Sequence, residues 1–249
     1  MFKKLTKKPV RFAPKTSYLL NEDTPFVVTE SFRKLKASLS VSIPKKEGGI
    51  SIMITSSYPE DGKTTVSVNL ALMFAMSSKA KVILVDADIR KGRVSSFFDK
   101  NAVEGVSDYL SGQNSLEEVI RKTQEPNLDY ITCGTTSPRP YELLESDVMK
   151  ELDKKLREKY DYVIYDTSPL LLVSDALAVA PVTDGTVLVC RHLVSYTSDI
   201  SKTLDTLKFA KVNVLGVVVN DYQKQNGKQS KNGKYSQYES YGYGKLEEK

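Results

Sequence analysis

The sequence predicts an α/β fold: a mostly parallel sheet with helices packed on both of its faces. Three observations carry the prediction. Runs of strand length, rich in valine and isoleucine, are apolar at nearly every position, as strands buried on both faces are. Helical stretches alternate with them. A Gly-Lys-Thr sequence, Gly62 to Thr64, follows the first of these runs and opens a helix.

Residues 1–25 contain Pro9, Pro14 and Pro25 and read as an irregular basic arm. In "TESFRKLKASLSVS", Thr29 caps a helix whose apolar positions are Phe32, Leu35 and Leu39. "GGISIMITSS" is a buried strand, and the helix after the glycine-lysine loop runs from about Thr64 to Ser77. "KVILVDAD", Lys81 to Asp88, is a second buried strand that ends in acids. "LDYITC", "YDYVIYDTS", "GTVLVC" and "VNVLGVVVN" supply four more strands. Helices occupy Tyr141 to Lys159 and Ser198 to Ala210. From Gln223 aliphatic residues become scarce and Lys, Ser, Gly and Tyr dominate, which marks a flexible tail. The organisation expected is an arm over 1–25, one domain over 26–222 and a tyrosine-rich tail over 223–249.

The chain has 249 residues, 40% of them hydrophobic, enough to build a substantial core. No apolar run is long enough to span a bilayer, and "MFKKLTKKPVRFAPK" lacks the apolar segment of a secretory signal. Cys133 and Cys190 stand far apart in apolar strands and read as reduced thiols, which suits the cytoplasm. The single histidine, His192, argues against a histidine-built metal site or a serine-histidine triad. Net charge is +5, and residues 1–15 carry six basic residues and no acid, so the rest of the chain sits at −1. The arm reads either as a solvated tail or as a segment drawn to anionic lipid, at roughly 1 kcal/mol per basic residue. Nucleic acid is disfavoured, because only Phe2 and Phe12 interleave with these charges.

Between a strand and a helix, Gly-Lys-Thr stands where a phosphate-binding P-loop needs it. Backbone N–H groups of Glu60, Asp61, Gly62, Lys63, Thr64 and Thr65 and the helix N-terminus would hold nucleotide phosphates. Lys63 would neutralise the β- and γ-oxygens and the Thr64 hydroxyl would bind Mg²⁺. The first glycine of the usual pattern falls on Ser57, and the loop alone also reads as a capped helix after a tight turn. Two further strands favour the nucleotide. Asp86 and Asp88 end one and Asp166 ends another, at the sheet edge where open α/β sheets bind ligands. Acids two apart on a strand share a face, so Asp86 and Asp88 can serve one metal-centred site with Asp166. Asp86 then suits the role of base toward an incoming hydroxyl. The resulting class is P-loop NTPase-like.

At these residues the sequence resembles the bacterial tyrosine kinases, the cytoplasmic kind that accompanies capsule and exopolysaccharide synthesis. The resemblance covers about residues 25–245. "SSYPEDGKTTVSVNLA" matches the family's Walker A, "VILVDADIRKGRVSSFF" its additional A′ element and "YDYVIYDTSPLLLVSDA" its Walker B. "CGTTSPRPYELLES" and "LGVVVNDY" are similar to its linking segment and last strand. The resemblance implies ATP and Mg²⁺ as cofactors, with catalysis by Lys63, Asp86 and Asp88. It implies metal support from Thr64, Asp86, Asp88 and Asp166, and a base contact from Asn220. Arg90 matches an arginine that follows the A′ acids, although Gly92 stands where a proline is common. The family's "PGEGK" loop reads Pro59, Glu60, Asp61, Gly62, Lys63 here, so its first glycine is an acid.

Tyr235, Tyr238, Tyr241 and Tyr243 lie in "KYSQYESYGYGK", without aliphatic neighbours, and resemble the family's autophosphorylation cluster. Glu30, Arg33 and Lys36 form one helical ridge, either ordinary surface pairs or the family's Glu-x-x-Arg-x-x-Arg subunit interface with lysine in the last place. The resemblance further implies a membrane-embedded activator, a phosphotyrosine phosphatase, a homo-oligomeric ring and a peripheral location at the inner face of the plasma membrane through a partner. Two other readings compete. One is a partition or septum-placement ATPase, but those carry a lysine five positions before the Gly-Lys-Thr lysine, where this chain has Tyr58. The other is a non-catalytic ATP-binding adaptor of a polysaccharide polymerisation complex.

Overall fold

A computed structural model of the chain describes residues 19–44, 47–78 and 80–222. Seven strands are formed, β1 (Ile50–Ser56), β2 (Val82–Asp86), β3 (Arg121–Lys122), β4 (Leu128–Ile131), β5 (Tyr162–Asp166), β6 (Gly185–Arg191) and β7 (Val214–Asn220). They make one sheet in the order β3-β4-β2-β5-β1-β6-β7. Every pairing is parallel except that of the short edge strand β3 with β4.

Alternate strand residues feed two cores, because successive side chains leave a strand on opposite faces. Ile52, Ile54, Leu84, Ile164 and Val189 face α1 (Phe26–Ser42) and α2 (Lys63–Ser78), which contribute Leu39, Val66, Leu70 and Phe74. Met53, Ile83, Val85, Val163 and Tyr165 face the opposite layer. That layer contains α3 (Val106–Leu110), α4 (Leu116–Val119), α5 (Pro140–Glu145), α6 (Asp147–Lys159), α7 (Asp175–Val179) and α8 (Thr197–Phe209). Both faces are therefore covered, as the continuously apolar strands require. α2 is apolar around most of its circumference because α1 covers the side turned away from the sheet.

Three local expectations are corrected. α1 begins at Phe26 rather than after Thr29: the Pro25 carbonyl accepts from Val28 N (2.9 Å) and Thr29 N (3.2 Å), so Thr29 lies inside the first turn. The helix expected over Tyr141 to Lys159 breaks at Ser146, which is extended (ψ 159°) and whose hydroxyl accepts from Met149 N to start α6. β2 stops at Asp86, so Asp88 is placed by a turn and not by strand alternation; its carboxylate and carbonyl both accept from Lys91 N at 3.1 Å. Cys133 and Cys190 are free thiols, and His192 packs its ring against Tyr222 at 4.6 Å between centroids.

The amino-terminal edge of the sheet is tied by one guanidinium. Arg157 NH1 donates to Asp184 Oδ2 (2.6 Å) and the Gly49 carbonyl (3.0 Å), and NH2 donates to the Val182 carbonyl (2.6 Å). Its Nε donates to Asp153, whose other oxygen accepts from Ser51 Oγ and from the Tyr165 hydroxyl (3.0 Å). The carboxyl-terminal edge is left for the loops that build the candidate site.

Candidate nucleotide-binding site

The loop after β1 folds back on itself before α2 begins. Ser56 Oγ donates to the Tyr58 carbonyl (2.7 Å), and Tyr58 N donates to Asp61 Oδ2 (3.1 Å). Gly62 is left-handed (φ +96°), and a Cβ there would stand 1.9 Å from the Asn220 amide nitrogen, so glycine is required twice over. Glu60 is also left-handed (φ +68°). A non-glycine residue in that conformation costs about 1–2 kcal/mol. Glu60→Gly is therefore expected to raise stability by about 0.5–1 kcal/mol, after the extra freedom glycine gives the unfolded chain. A urea titration at neutral pH measures it, and an unchanged or lower midpoint contradicts it.

Beyond the loop the chain gathers one cation and three carboxylates. Lys63 Nζ lies 3.0 Å from Asp88 Oδ2 and 3.6 Å from Asp166 Oδ2. Thr64 Oγ1 donates to Asp166 Oδ2 (2.7 Å), and Ser67 Oγ sits 3.0 Å from Asp166 Oδ1. Asp86 and Asp166 are register partners on adjacent parallel strands, so their carboxylates leave the sheet on one face. Asp86 is held differently from the other two acids: its Oδ2 accepts from Val94 N (2.9 Å) and its Oδ1 faces Asp88 N (3.3 Å). All four charged side chains are buried.

Burial of like charges sets the electrostatics. Desolvation, with Asp166 as neighbour, pushes the Asp86 carboxyl up to about 8, against the opposing Val94 N–H and Lys63. Burial also raises Asp166, partly offset by Lys63 and the Thr64 hydroxyl. Burial alone would lower the Lys63 ammonium, but Asp166, Asp88 and Asp86 outweigh it and the net shift is upward. Lys63 is thus a permanent cation in a pocket of acids. Among the described residues no cluster of three or more His, Cys, Asp or Glu is arranged as a ready-made metal cage. The donors are instead one hydroxyl and carboxylates around Lys63. That set fits Mg²⁺, which binds through one or two carboxylates and completes its shell with phosphate and water.

Other residues singled out in the sequence lie outside this cluster of charged side chains. Asp61 is buried and points its carboxylate into the neighbouring loops, Oδ1 accepting from Ser195 Oγ at 2.7 Å, and not toward the mouth. Glu60 is exposed at the rim, and Thr65 is half-buried in the first turn of α2, its carbonyl accepting from Asn69. Asn220 Nδ2 donates to the Asp61 carbonyl (3.1 Å), so it underpins the phosphate loop. Arg90 makes a two-pronged contact with Asp175 (2.6 and 3.1 Å). Gly92 leaves room that a side chain would take from Asp86 Oδ2 and Cys133, each within 2.6 Å of a Cβ built there. On α1, Glu30 pairs with Arg33, whereas Lys36 donates to Ser77 of α2 (2.6 Å) and lies over the Phe74 ring. Lys36 therefore ties α1 to α2 within one chain. Tyr235, Tyr238, Tyr241 and Tyr243 lie outside the described residues. Sequence reading overlooked Ser67 and Ser195; only Ser67 left a signal, four positions after Lys63 on the same helical face.

A glycine-lysine loop opening a helix, with acids at the ends of two adjacent parallel strands, defines a protein of the P-loop NTPase class. Residues 52–214 match the family model described as an AAA domain. Tyrosine-protein kinase YwqD of Bacillus subtilis is 37% identical over 215 residues, covering 86% of each chain. Tyrosine-protein kinase ptk of Acinetobacter johnsonii is 34% identical over 200 residues, 80% of this chain but 27% of its own length. A putative tyrosine-protein kinase in the cps region of Klebsiella pneumoniae is 34% identical over 207 residues, 83% of this chain and 28% of its own. The kinase domain of Escherichia coli tyrosine kinase ETK superposes with a TM-score of 0.75 at 32% identity, covering 91% of this chain and 89% of that one. The septum site-determining protein MinD of Pyrococcus horikoshii, solved with Mg-ADP, superposes less well, at a TM-score of 0.58, 28% identity and 72% coverage of both chains. The chain belongs to the bacterial tyrosine-protein kinase family. It spans about a quarter of the length of the longer relatives and most of the length of the Bacillus one.

Proposed function

We propose that the chain is an ATP- and Mg²⁺-dependent protein tyrosine kinase that phosphorylates its own carboxyl-terminal tyrosines, between subunits, in the control of capsule or exopolysaccharide production. One observation carries the reading: Lys63, Thr64, Asp86, Asp88 and Asp166 converge from three chain segments at one sheet edge. Lys63 would meet the transferred phosphate, and Thr64 with Asp166 and Asp88 would hold the metal. Mg²⁺ would supply neutralisation of the phosphate charge. Asp86, whose raised pKa marks it as a proton acceptor near neutrality, would take the phenolic proton. The tail follows Tyr222 in the sequence, and in an assembly of several copies it would offer its tyrosines to a neighbour's site at high effective concentration. Phosphate adds about −1.5 to −2 charge per tyrosine, which would loosen an assembly that needs the tail docked.

A membrane-embedded activator, a cognate phosphatase, a ring through the α1 ridge and a place at the inner membrane face belong to the same proposal. No helix among the described residues is long and apolar enough to cross a membrane. The septum-placement alternative is less supported, given Tyr58 in place of that group's lysine and the weaker superposition. The test is mass spectrometry of the tail after incubation with Mg-ATP. Phosphate on residues among Tyr235, Tyr238, Tyr241 and Tyr243 is expected in the wild type, with at least a tenfold loss in Asp86→Asn. An unmodified wild-type tail refutes the self-phosphorylation reading.

A further inference from the structure

We infer that Ser195 and Asn220 are positioning residues that hold the phosphate loop in its nucleotide-ready shape through Asp61. The inference rests on the nucleotide-binding part of the proposed function. Asp61 is the junction of three loops at the carboxyl edge of the sheet. Its Oδ2 accepts from Tyr58 N (3.1 Å) and closes the phosphate loop on itself. Its Oδ1 accepts from Ser195 Oγ (2.7 Å), in the loop between β6 and α8. Its carbonyl accepts from Asn220 Nδ2 (3.1 Å), at the end of β7. The two outer loops are also joined to each other. Ser195 Oγ accepts from Arg191 N (2.7 Å), the Asn220 carbonyl accepts from His192 N (3.0 Å), and Arg191 pairs with Asp221 (2.8 Å).

Two features separate this arrangement from ordinary loop bonding. Asp61 is 2% exposed, so its carboxylate depends on these donors and not on water. The backbone around the junction is held where non-glycine residues seldom go: Glu60, Leu193 and Asp221 all have φ between +54° and +68°. Such conformations persist only where surrounding contacts determine them. Gly62 packs directly on the Asn220 amide, so that amide sets how far the loop can fall back before Lys63. A P-loop binds phosphate with backbone N–H groups, which must all face the ligand. Held beforehand, they need no ordering when nucleotide arrives; released, they must order at the expense of affinity.

The test compares the full chain with Ser195→Ala, Ser195→Thr and Asn220→Ala, using Mg-ADP titrated by calorimetry. Ser195→Ala and Asn220→Ala are expected to weaken Mg-ADP about 5- to 20-fold. Ser195→Thr, which keeps the hydroxyl, should stay within about twofold of wild type. In phosphotransfer assays the Ser195→Ala loss should appear in KM for ATP, with kcat within about twofold. Amide exchange across 57–62 in the free protein should accelerate in Ser195→Ala while the β1 amides stay protected. In an Asp61→Ala background, Ser195→Ala should add nothing further. Wild-type affinity and wild-type loop exchange in Ser195→Ala would overturn the inference, as would a fall in kcat at unchanged KM and Mg-ADP affinity. The binding and exchange arms need no phosphoryl acceptor. Should the wild type bind Mg-ADP yet leave its tail unmodified, the kinase proposal fails and the inference is judged on these arms. A wild type that does not bind Mg-ADP overturns both.

Discussion

Lys63→Ala is expected to lower phosphotransfer about 10²- to 10³-fold, the cost of removing a group aimed at developing charge in a buried site. Rapid-quench measurement of tail phosphorylation reads it, and an unchanged rate removes Lys63 from the phosphate-binding role. The same variant should change the stability of the nucleotide-free protein in a pH-dependent way. Lys63 lies between Asp88 and Asp166 and holds down the pKa of Asp166 and Asp86. Both carboxyls already ionise above their ordinary range in the folded protein, because they are buried. A raised folded pKa means that the native state binds more protons than the unfolded chain. Stability from these groups is therefore fullest below about pH 4 and is lost as pH rises toward about 8, where Asp86 ionises. Without Lys63 both values climb, so the loss between pH 5 and 8 should steepen. Urea titrations across that range check the sign; a variant that gains stability with pH relative to wild type contradicts it.

The lysine's dual position also explains what the sequence could reveal. Gly62, Lys63 and Thr64 announce themselves by local spacing, and the strands before Asp86 and Asp166 by unbroken apolar runs, so sheet, loop and acid edge were all legible. Asp88 reaches the cluster by a route that strand alternation does not predict: a turn closed by Lys91 N brings it to Lys63. Asp61 reads as one more acid in a phosphate loop, yet its partner Ser195 stands 134 residues away, and no spacing signals such a contact. Lys36 shows the same limit on a helix. Its ridge with Glu30 and Arg33 looks like an outward surface, but α2 packs alongside and gives the ammonium a partner in Ser77. Local pattern specifies elements, while the docking of one element on another decides which way an ambivalent side chain turns. Ser146 marks the intermediate case, since the Ser-Asp cap was present in the sequence but masked by continuous helical spacing on either side.

Arg157→Ala is expected to cost about 3 kcal/mol of stability, the range for breaking a buried charge cluster by removing one partner. The guanidinium is 15% exposed and serves Asp153, Asp184 and the carbonyls of Gly49 and Val182 together. Alanine would leave two carboxylates and two carbonyls at the starts of β1 and β6 short of donors. Each such buried group costs about 1–3 kcal/mol, reduced here by water entering the vacated space. Lysine should recover less than half of the loss, because one ammonium cannot reproduce a planar fork that reaches four acceptors. The cluster lies at the amino-terminal edge of the sheet, opposite the nucleotide loops. The activity of folded Arg157→Ala should therefore match wild type within about twofold, while the urea midpoint falls at constant m-value. A loss below about 1 kcal/mol would mean that solvent already satisfies this edge. A large fall in activity per folded molecule would mean that its geometry is transmitted along β1 to the phosphate loop. The expected separation of stability from activity thus tests whether the two ends of the sheet act independently.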